Sequence, residues 1–294
     1  MDVLKEELTA PGLIEATAIW SPLAGGRTNF AWYVKAQGQA TGMVVKLFAK
    51  EAGNPLFPND ATAEALILRH LEGRDLAPQL LNFCETELGP CLIYRHLDGK
   101  SWTDDTAGPA RLLAELHAVS PPGTLRIAPD GTDQLTEQTH NIMAACPPDD
   151  ADQITSRCPA PHCATVAPSG DRVLLHGDPV TGNLIVCADG HRLIDWQCPA
   201  QGDPCEDIAL FLSPAMQVTY RGTPLSDAEC AAFLTFYANP AISKRYRALA
   251  PWYHWRMAAY CLWKKSRGDA VAATALALEL GALDAAISAL RSER

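Results

Sequence analysis

The stretch Leu174–Val186, LLHGDPVTGNLIV, places a polar loop between two short apolar segments. The loop contains His176, Asp178 and Asn183, and a Gly lies on each side of its Pro-Val-Thr centre. A plain hairpin turn needs only about two to five residues and no carboxylate. The apolar segments are predicted as strands, which would hold the polar groups rigidly. We therefore interpret the loop as a site of chemistry within a strand–loop–strand unit.

A second acidic segment follows this loop at a characteristic distance. Asn183 lies five residues after Asp178, and Asp195 follows twelve residues later in LIDW, beyond a strand and the turn ADGH. The protein-kinase catalytic loop has the same spacing, followed by a metal-binding Asp. Phosphoryl transfer needs one carboxylate for the acceptor hydroxyl and oxygen ligands for the Mg²⁺ that bridges the phosphates of ATP. The spacing predicts Asp178 as the catalytic base and Asn183 and Asp195 as magnesium ligands.

Three motifs occur in order in the second half of the chain: HGDPVTGN, LIDW and GDPCEDIA. Together they resemble the patterns H-G-D-x-x-x-x-N, I-D-W and G-D-P-x-x-D-[IL]-A of the aminoglycoside phosphotransferase and choline kinase superfamily. LAELHAVSP resembles the L-x-x-L-H helix of that family, so the likeness spans nearly the whole chain. The resemblance implies an α+β, bilobal, protein-kinase-like fold. Its small antiparallel β N-lobe would hold one helix, and its larger C-lobe would be mainly helical.

Local patterns predict where the N-terminal lobe ends. Apolar segments bounded by turn residues predict strands at 31–34, 43–48, 78–83 and 91–94. Asp60 is the predicted N-cap of a helix through AEALILRHLEG, with Gly73 as its stop signal. We therefore predict a nucleotide-binding lobe at residues 1–95 and a catalytic and substrate-binding lobe at residues 96–294.

Helices dominate the predicted C-terminal lobe. ARLLAELHAVSPP has helical periodicity and ends before a Pro pair. Residues 144–171 are rich in Pro, Ala and Asp and are predicted as an irregular excursion. The opening stretch follows, then a second strand pair that ends at RLIDW. From Pro204 onward the pattern predicts three or four helices.

The N-lobe contains a glycine-rich turn, LAGGRTNF, between two predicted strands. Glycine permits the close approach of backbone N–H groups to phosphate oxygens. The segment resembles the G-G-x-[TS]-N loop of choline and thiamine kinases. An ordinary Gly-Gly turn is the alternative. The resemblance implies that this loop binds ATP through Gly25, Gly26, Thr28 and Asn29.

Lys46 lies on the strand MVVKLF among apolar neighbours, where a Lys is costly unless its amine reaches solvent or has a partner. The resemblance implies that Lys46 binds the α- and β-phosphates of ATP and pairs with a helix carboxylate. Glu64 is the favoured partner and Glu72 the less favoured one; a first-turn acid that interacts with the helix dipole is the alternative for Glu64. The segment CLIYRHLDGKSW resembles the hinge that receives adenine, with backbone groups around Tyr94 and His96 pairing with the base.

The C-terminal segment PWYHWRMAAYCLW carries the predicted acceptor-binding residues. Trp252, Trp255 and Trp263 fall near one helical face, and aromatic faces attract quaternary or aromatic cations. An aromatic core stripe is the alternative. Asp203 and Glu206 would help to hold an amine, or would be solvated or capping residues.

Composition limits the classes of partner. The chain has 294 residues and a net charge of −10, which disfavours a general nucleic-acid binder because such proteins need clustered Lys and Arg. The charge suits a cationic substrate. The N-terminal MDVLKEELTAPG has no signal-peptide-like apolar stretch, and ATALALELGALDAAISAL is interrupted by Glu279 and Asp284. We therefore expect a cytoplasmic protein with free thiols and no membrane span, whose apolar C-terminal segment is a packing helix.

Taken with the resemblance, these residues predict an ATP- and Mg²⁺-dependent kinase that phosphorylates a hydroxyl of a cationic small molecule. Choline, ethanolamine and thiamine represent the predicted class of acceptor. An aminoglycoside or amino-sugar phosphotransferase is the alternative, disfavoured by the basic segments KRYR and LWKKSRG near the C-terminus. A catalytically silent kinase-like binding module is a second alternative, and a protein kinase, which would need an A-P-E segment, is a third.

Overall fold

The computed structural model describes residues 1–23, 28–49, 53–147 and 159–292. The chain divides into two units, each assembled from segments that are distant in sequence. The first unit comprises Met1–Asn54, Pro58–Lys100 and Ile185–Cys198, and the second comprises Pro55–Phe57, Ser101–Leu184 and Pro199–Arg294. Asp195 therefore belongs to the first unit, although it lies far beyond residue 95. The lobe boundary at residue 95 stays a prediction.

The first unit is built on an antiparallel five-stranded sheet with the strand order β1-β2-β3-β5-β4. Its strands are β1 (Ile19–Pro22), β2 (Phe30–Lys35), β3 (Met43–Leu47), β4 (Leu80–Thr86) and β5 (Gly89–Arg95). An N-terminal helix, α1 (Asp2–Thr9), was not predicted. Its Leu4 and Leu8 are buried in one core with Trp32, Val34 and Val45 of the sheet.

Helix α2 (Ala61–His70) begins where its cap was predicted. The Asp60 carboxylate accepts a hydrogen bond of 2.9 Å from the Ala63 N–H, which satisfies one of the free donors at the helix N-terminus. Gly73 follows the helix with φ +75°, a left-handed conformation that favours Gly. Both the predicted cap and the predicted stop are confirmed.

A second small sheet carries the chain toward Asp195. It has the strand order β6-β8-β9, with β6 (Gly99–Ser101), β8 (Leu184–Cys187) and β9 (Gly190–Leu193). Gly99 is needed here, because a Cβ atom at this position would lie 2.6 Å from the carbonyl oxygen of Val186. A separate two-stranded sheet pairs β7 (Val173–Leu175) with β10 (Ala200–Gly202) in the second unit.

The second unit is mainly helical, which together with the sheet of the first unit confirms the α+β prediction. The described helices are α3 (Ala107–His117), α4 (Thr132–Ala144), α5 (Cys205–Leu212), α6 (Pro214–Tyr220), α7 (Asp227–Tyr237), α8 (Pro240–Ser266) and α9 (Ala272–Ser292). Helix α4 was not predicted.

Five helices follow Pro204, rather than three or four. The difference arises at Ser213-Pro214. The Ser213 hydroxyl accepts a hydrogen bond from the Met216 N–H, and Pro214 has no N–H to continue the preceding helix. One apolar run therefore forms two helices, α5 and α6.

Two other predicted segments have different outcomes. Of the predicted irregular segment 144–171, residues 148–158 lie outside the described part of the chain, and residues 159–171 form neither helix nor strand. In the described residues one helix, α9, is long and apolar enough to cross a membrane by length and composition alone. It contacts α8 and α6, and its Glu279 is fully buried, in keeping with a packing helix.

We expect Gly131→Ala to lower the free energy of unfolding by about 1–3 kcal/mol, because Gly131 has φ +82°. An added Cβ atom would also lie 2.7 Å from the Val166 carbonyl oxygen. Gly123→Ala is the control, since a Cβ atom there meets nothing within 4 Å. Urea unfolding measures both variants, and equal midpoints would contradict the assignment.

Candidate functional site

The Asp178 loop follows strand β7 and ends in a short 3₁₀ turn at Thr181–Asn183. This turn folds Asn183 back toward Asp178, so that its amide nitrogen donates to the Asp178 carbonyl oxygen at 2.9 Å and to Oδ2 at 3.3 Å. Both side chains are buried. Because the amide nitrogen serves Asp178, the Asn183 Oδ1 atom is the one suited to a metal ion.

Asp207, in the first turn of α5, braces the start of this loop. Its carboxylate is fully buried and accepts hydrogen bonds of 2.8 Å from the backbone N–H groups of both His176 and Gly177. The His117 ring lies 3.1 Å from the same carboxylate and 2.8 Å from the Tyr237 hydroxyl. Burial would raise the pKa of Asp207, but the hydrogen bond and charge of His117 and the loop contacts hold it below its ordinary value. Asp207 therefore braces the loop that carries Asp178.

His176 is fully buried inside the loop. Its Nδ1 atom accepts a hydrogen bond of 3.2 Å from the Asp178 backbone N–H. The ring thus contacts the backbone of the loop, as expected for a residue that supports Asp178 rather than one that carries protons.

In the first unit, Lys46 on β3 joins two acidic side chains. Its Nζ atom lies 2.5 Å from Glu64 Oε2 on α2, which agrees with the predicted partner, and it also pairs with Asp195 Oδ1. Lys46 and Glu64 are buried, whereas the Asp195 side chain is 31% exposed. The pairing with Asp195 was not predicted, because the two residues are 149 positions apart and no local pattern connects them.

The position of Lys46 between two carboxylates affects the pKa values of Lys46 and Glu64. Burial would lower the pKa of Lys46, but Asp195 and Glu64 together hold it above its ordinary value. Burial raises the pKa of Glu64 to about 7; the charge of Asp195 adds to this effect and that of Lys46 opposes it. Lys46 therefore remains charged, and Glu64 titrates close to neutral pH.

Asp195 itself has an unusual backbone, with φ +62°. A non-glycine residue in this left-handed region is strained, and such strain is common at functional sites. The next residue, Trp196, is fully buried and donates from Nε1 to the Leu193 carbonyl oxygen at 3.0 Å. It packs in the core and anchors the loop that carries Asp195.

The predicted phosphate-binding loop is described only in part. Gly25 and Gly26 lie outside the described residues, and Thr28 is half-buried. The Asn29 amide nitrogen donates to Asn59 Oδ1 at 2.8 Å and to Gln197 Oε1 at 2.9 Å. Its Oδ1 atom accepts from the Ala49 N–H at 3.1 Å and the Asn59 amide at 2.9 Å. Asn29 thus connects distant segments of the first unit.

The predicted hinge lies at the end of β5. Tyr94 is buried in the sheet. The backbone N–H of His96 donates to the Gly42 carbonyl oxygen at 3.1 Å, and that of Arg95 donates to the Gln79 carbonyl oxygen at 2.9 Å. Because these two N–H groups are already paired, an adenine base would have to bind other backbone groups of this stretch.

The tryptophans predicted at the acceptor site all lie on α8 and are buried. Trp255 is 1% exposed and packs edge-to-face with His140 at 5.5 Å. Trp263 stacks on Tyr260 at 5.4 Å. These contacts favour the alternative of an aromatic core stripe.

Asp203 and Glu206 are not solvated, contrary to one reading of the sequence. Asp203 is fully buried and accepts from Arg245 Nε at 2.6 Å and, at 2.9 Å, from the N–H of Cys205, the first residue of α5. Glu206 is buried against Arg256 at 2.8 Å. Both arginines come from α8, whose approach the local sequence does not reveal.

The described residues offer few grouped metal ligands. No group of three or more His, Cys, Asp or Glu side chains among them is arranged to hold a metal ion. Mg²⁺ in phosphoryl-transfer enzymes needs only one or two protein oxygens, because phosphates and waters complete its shell. The Asp195 carboxylate in the first unit and the Asn183 amide oxygen in the second are each a ligand of this type.

Comparison with known proteins identifies the class. The sequence model described as the phosphotransferase enzyme family matches residues 19–252. No curated protein matches the chain. Among solved structures, a choline/ethanolamine kinase family protein from Mesorhizobium loti is 15% identical with a TM-score of 0.67, covering 99% of each chain.

Two other solved structures show the same fold. A choline kinase from Cryptosporidium parvum is 13% identical with a TM-score of 0.66, over 98% of this chain and 96% of its own. A spectinomycin phosphotransferase, solved with ADP and spectinomycin, is 14% identical with a TM-score of 0.58, over 98% and 97%. Fold and family together define a phosphotransferase with a hydroxyl acceptor. Since the family match spans most of the sequence, the chain belongs to the phosphotransferase enzyme family.

The raised pKa of Glu64 predicts a pH-dependent stability. Because its pKa is about 7 in the folded protein against an ordinary 4.5, Glu64 contributes stability that is fully present below pH 4.5 and is lost as the pH rises to 7. Glutamine does not titrate, so the Glu64→Gln protein does not undergo this loss. We therefore expect the free energy of unfolding of Glu64→Gln to rise relative to that of the wild type by about 3 kcal/mol between pH 4.5 and pH 7.

Urea unfolding of the nucleotide-free protein at several pH values measures this difference. Glu72→Gln, an exposed carboxyl just beyond the same helix, is the control for loss of a carboxyl group. Parallel pH curves for the wild type and Glu64→Gln would contradict the assignment.

Proposed function

We propose that this kinase transfers the γ-phosphoryl group of ATP to a hydroxyl of a cationic small molecule of the choline, ethanolamine or thiamine type. The observation that carries the chemical part is the geometry around Asp178. Asn183 donates twice to this residue, and Asp207 holds the two residues before it. A carboxylate positioned in this way suits a base that orients the acceptor hydroxyl and accepts its proton.

On the nucleotide side, Lys46 is proposed to bind the α- and β-phosphates of ATP, oriented by Glu64. Asp195 and Asn183 are proposed as Mg²⁺ ligands; the ion would supply positive charge that neutralises the phosphates. The Gly25, Gly26, Thr28 and Asn29 loop and the Tyr94–His96 stretch remain the proposed contacts for phosphate and adenine.

The cationic class of acceptor has two supports. The chain carries a net charge of −10, which favours the approach of cations. The solved structures that resemble it over 98% or more of its length include choline and ethanolamine kinases. The burial of Trp252, Trp255 and Trp263 gives no support to an open aromatic cage, so the proposal rests on charge and on these relatives.

An aminoglycoside or amino-sugar acceptor is the second candidate. It is favoured by the spectinomycin phosphotransferase, whose full-length fold this chain shares.

A cytoplasmic location belongs to the proposal as well. Cys84 and Cys91 lie directly opposite each other on adjacent strands and are both free thiols, which is typical of a reducing compartment.

We expect saturable ADP release with Mg²⁺ and ATP in the presence of choline, ethanolamine or thiamine. Kanamycin and simple amino sugars test the second candidate in the same panel. The Asp178→Asn protein, assayed alongside, measures background ATP hydrolysis. Release with an amino sugar alone would replace the cationic-alcohol proposal, and release with none of these acceptors would refute both candidates.

Asp178→Asn is expected to reduce turnover by about 10²–10⁴, because an amide cannot accept the hydroxyl proton. MgATP binding should be nearly unchanged. Asp171→Asn, an exposed residue of the same unit, is the matched control. A variant that kept more than about a tenth of the wild-type rate would rule out Asp178 as the base.

Asp195→Ala is expected to weaken MgATP binding by about tenfold or more, equivalent to about 1.4 kcal/mol, through loss of a metal ligand. Calorimetry with Mg²⁺ and with EDTA separates the metal contribution from that of the nucleotide. Asp189→Ala, on the exposed β8–β9 turn, is the control. Unchanged MgATP affinity would count against the metal role.

A further inference from the structure

Arg245, on α8, is bonded through all three guanidinium nitrogens in the second unit. Its Nε atom donates to Asp203 Oδ2 at 2.6 Å, Nη2 to Asp130 Oδ1 at 2.8 Å and Nη1 to the Ala167 carbonyl oxygen at 2.9 Å. The Arg245 side chain is 18% exposed, and the two carboxylates are 0% and 4% exposed. This planar fork therefore holds three separate chain segments at once.

Asp130 fixes the segment that enters strand β7. Its carboxylate accepts hydrogen bonds of 2.8 Å from the backbone N–H groups of Ser169 and Gly170, and one of 3.3 Å from the Ser169 hydroxyl. Strand β7 begins three residues after Gly170, at Val173. Asp130 thus determines where the chain starts its approach to the Asp178 loop.

Asp203 fixes the segment that leaves strand β10. It directly follows Gly202, the last residue of the strand, and its Oδ1 atom accepts from the Cys205 N–H at 2.9 Å. Cys205 begins α5, the helix that carries Asp207. Asp203 therefore connects β10 to the helix that braces the loop.

Strands β7 and β10 pair with each other over only three residues each, with Leu175 opposite Ala200 and Val173 opposite Gly202. Pairing this short is marginal unless the strand ends are held. One end of β7 is held at residues 176–177 by Asp207. The other end, and the end of β10, are held by Asp130 and Asp203, which Arg245 links.

We infer that Arg245 is a positioning residue for Asp178: it ties the entry of β7 to the exit of β10 and so keeps the catalytic loop in register. This inference rests on the proposed role of Asp178 as the base. Burial would lower the pKa of Arg245, but the hydrogen bond and charge of Asp203 and the charge of Asp130 hold it above its ordinary value. A Lys carries the charge but lacks the planar fork needed to reach all three acceptors.

The test compares Arg245→Met and Arg245→Lys with Arg221→Met. Arg221 is a matched control in the same unit, because its side chain is 16% exposed and pairs with Glu229 at 2.8 Å. Turnover is measured as ADP release with the acceptor that gives saturable release in the panel above, after subtraction of the background hydrolysis of Asp178→Asn. The kcat, the ATP KM, MgATP affinity and melting temperature are measured for each protein.

We expect Arg245→Met to lower kcat at least tenfold while MgATP affinity stays within twofold, and Arg245→Lys to recover part of the loss. Arg221→Met should lower the melting temperature but keep kcat within twofold. A kcat within twofold of wild type for Arg245→Met would overturn the inference, as would an equal loss of kcat in Arg221→Met.

Asp130→Asn serves as a second variant. Arg245→Met leaves the buried carboxylates of Asp130 and Asp203 without their cation, whereas Asp130→Asn keeps Arg245 paired with Asp203. We expect it to lower kcat as well, and the Arg245→Met/Asp130→Asn double variant to lose less than the product of the single effects. If Arg245→Met does not fold, an unchanged kcat in Asp130→Asn overturns the inference. If Asp178→Asn is inactive while both variants keep full kcat, only this inference fails; an active Asp178→Asn refutes the proposed base.

Discussion

The geometry of the Asp178 loop depends on one buried carboxylate, that of Asp207. It accepts the backbone N–H groups of His176 and Gly177 and contacts the ring of His117. A fully buried carboxylate destabilises the protein unless hydrogen-bond donors satisfy it. A shift of the loop would remove two of these donors and is therefore unfavourable. The conformation of the loop is therefore coupled to helices α3 and α5, and Asp178, the next residue along the chain, is placed by that coupling.

The first unit uses charge in a different way. There Lys46 is shared by Glu64 and Asp195, which leaves one negative charge in excess when both carboxyl groups are ionised. This excess keeps the Lys46 amine charged and adds to burial, which is the main cause of the raised pKa of Glu64. It also suits a group that receives a further cation, and the strained backbone of Asp195 is in keeping with a functional role.

Local interactions made several features predictable. The Asp60 cap, the stop at Gly73 and the pairing of Lys46 with Glu64 were all expected from spacing, polarity or family resemblance. Other features came from segments with no local signature. The two acids after β10 were read as solvated, capping or amine-binding residues, yet Arg245 and Arg256 reach both from α8.

By itself, the sequence determined the family, the α+β class and the spacing of Asp178, Asn183 and Asp195, because these depend on motifs and on periodicity within short segments. Only the tertiary structure decided which charges neutralise one another and which aromatic side chains are buried. Arg245 and Asp203 are 42 residues apart, and Lys46 and Asp195 are 149 residues apart. Such pairs form when packing of the whole chain brings distant segments together, and burial then makes each charge require its partner.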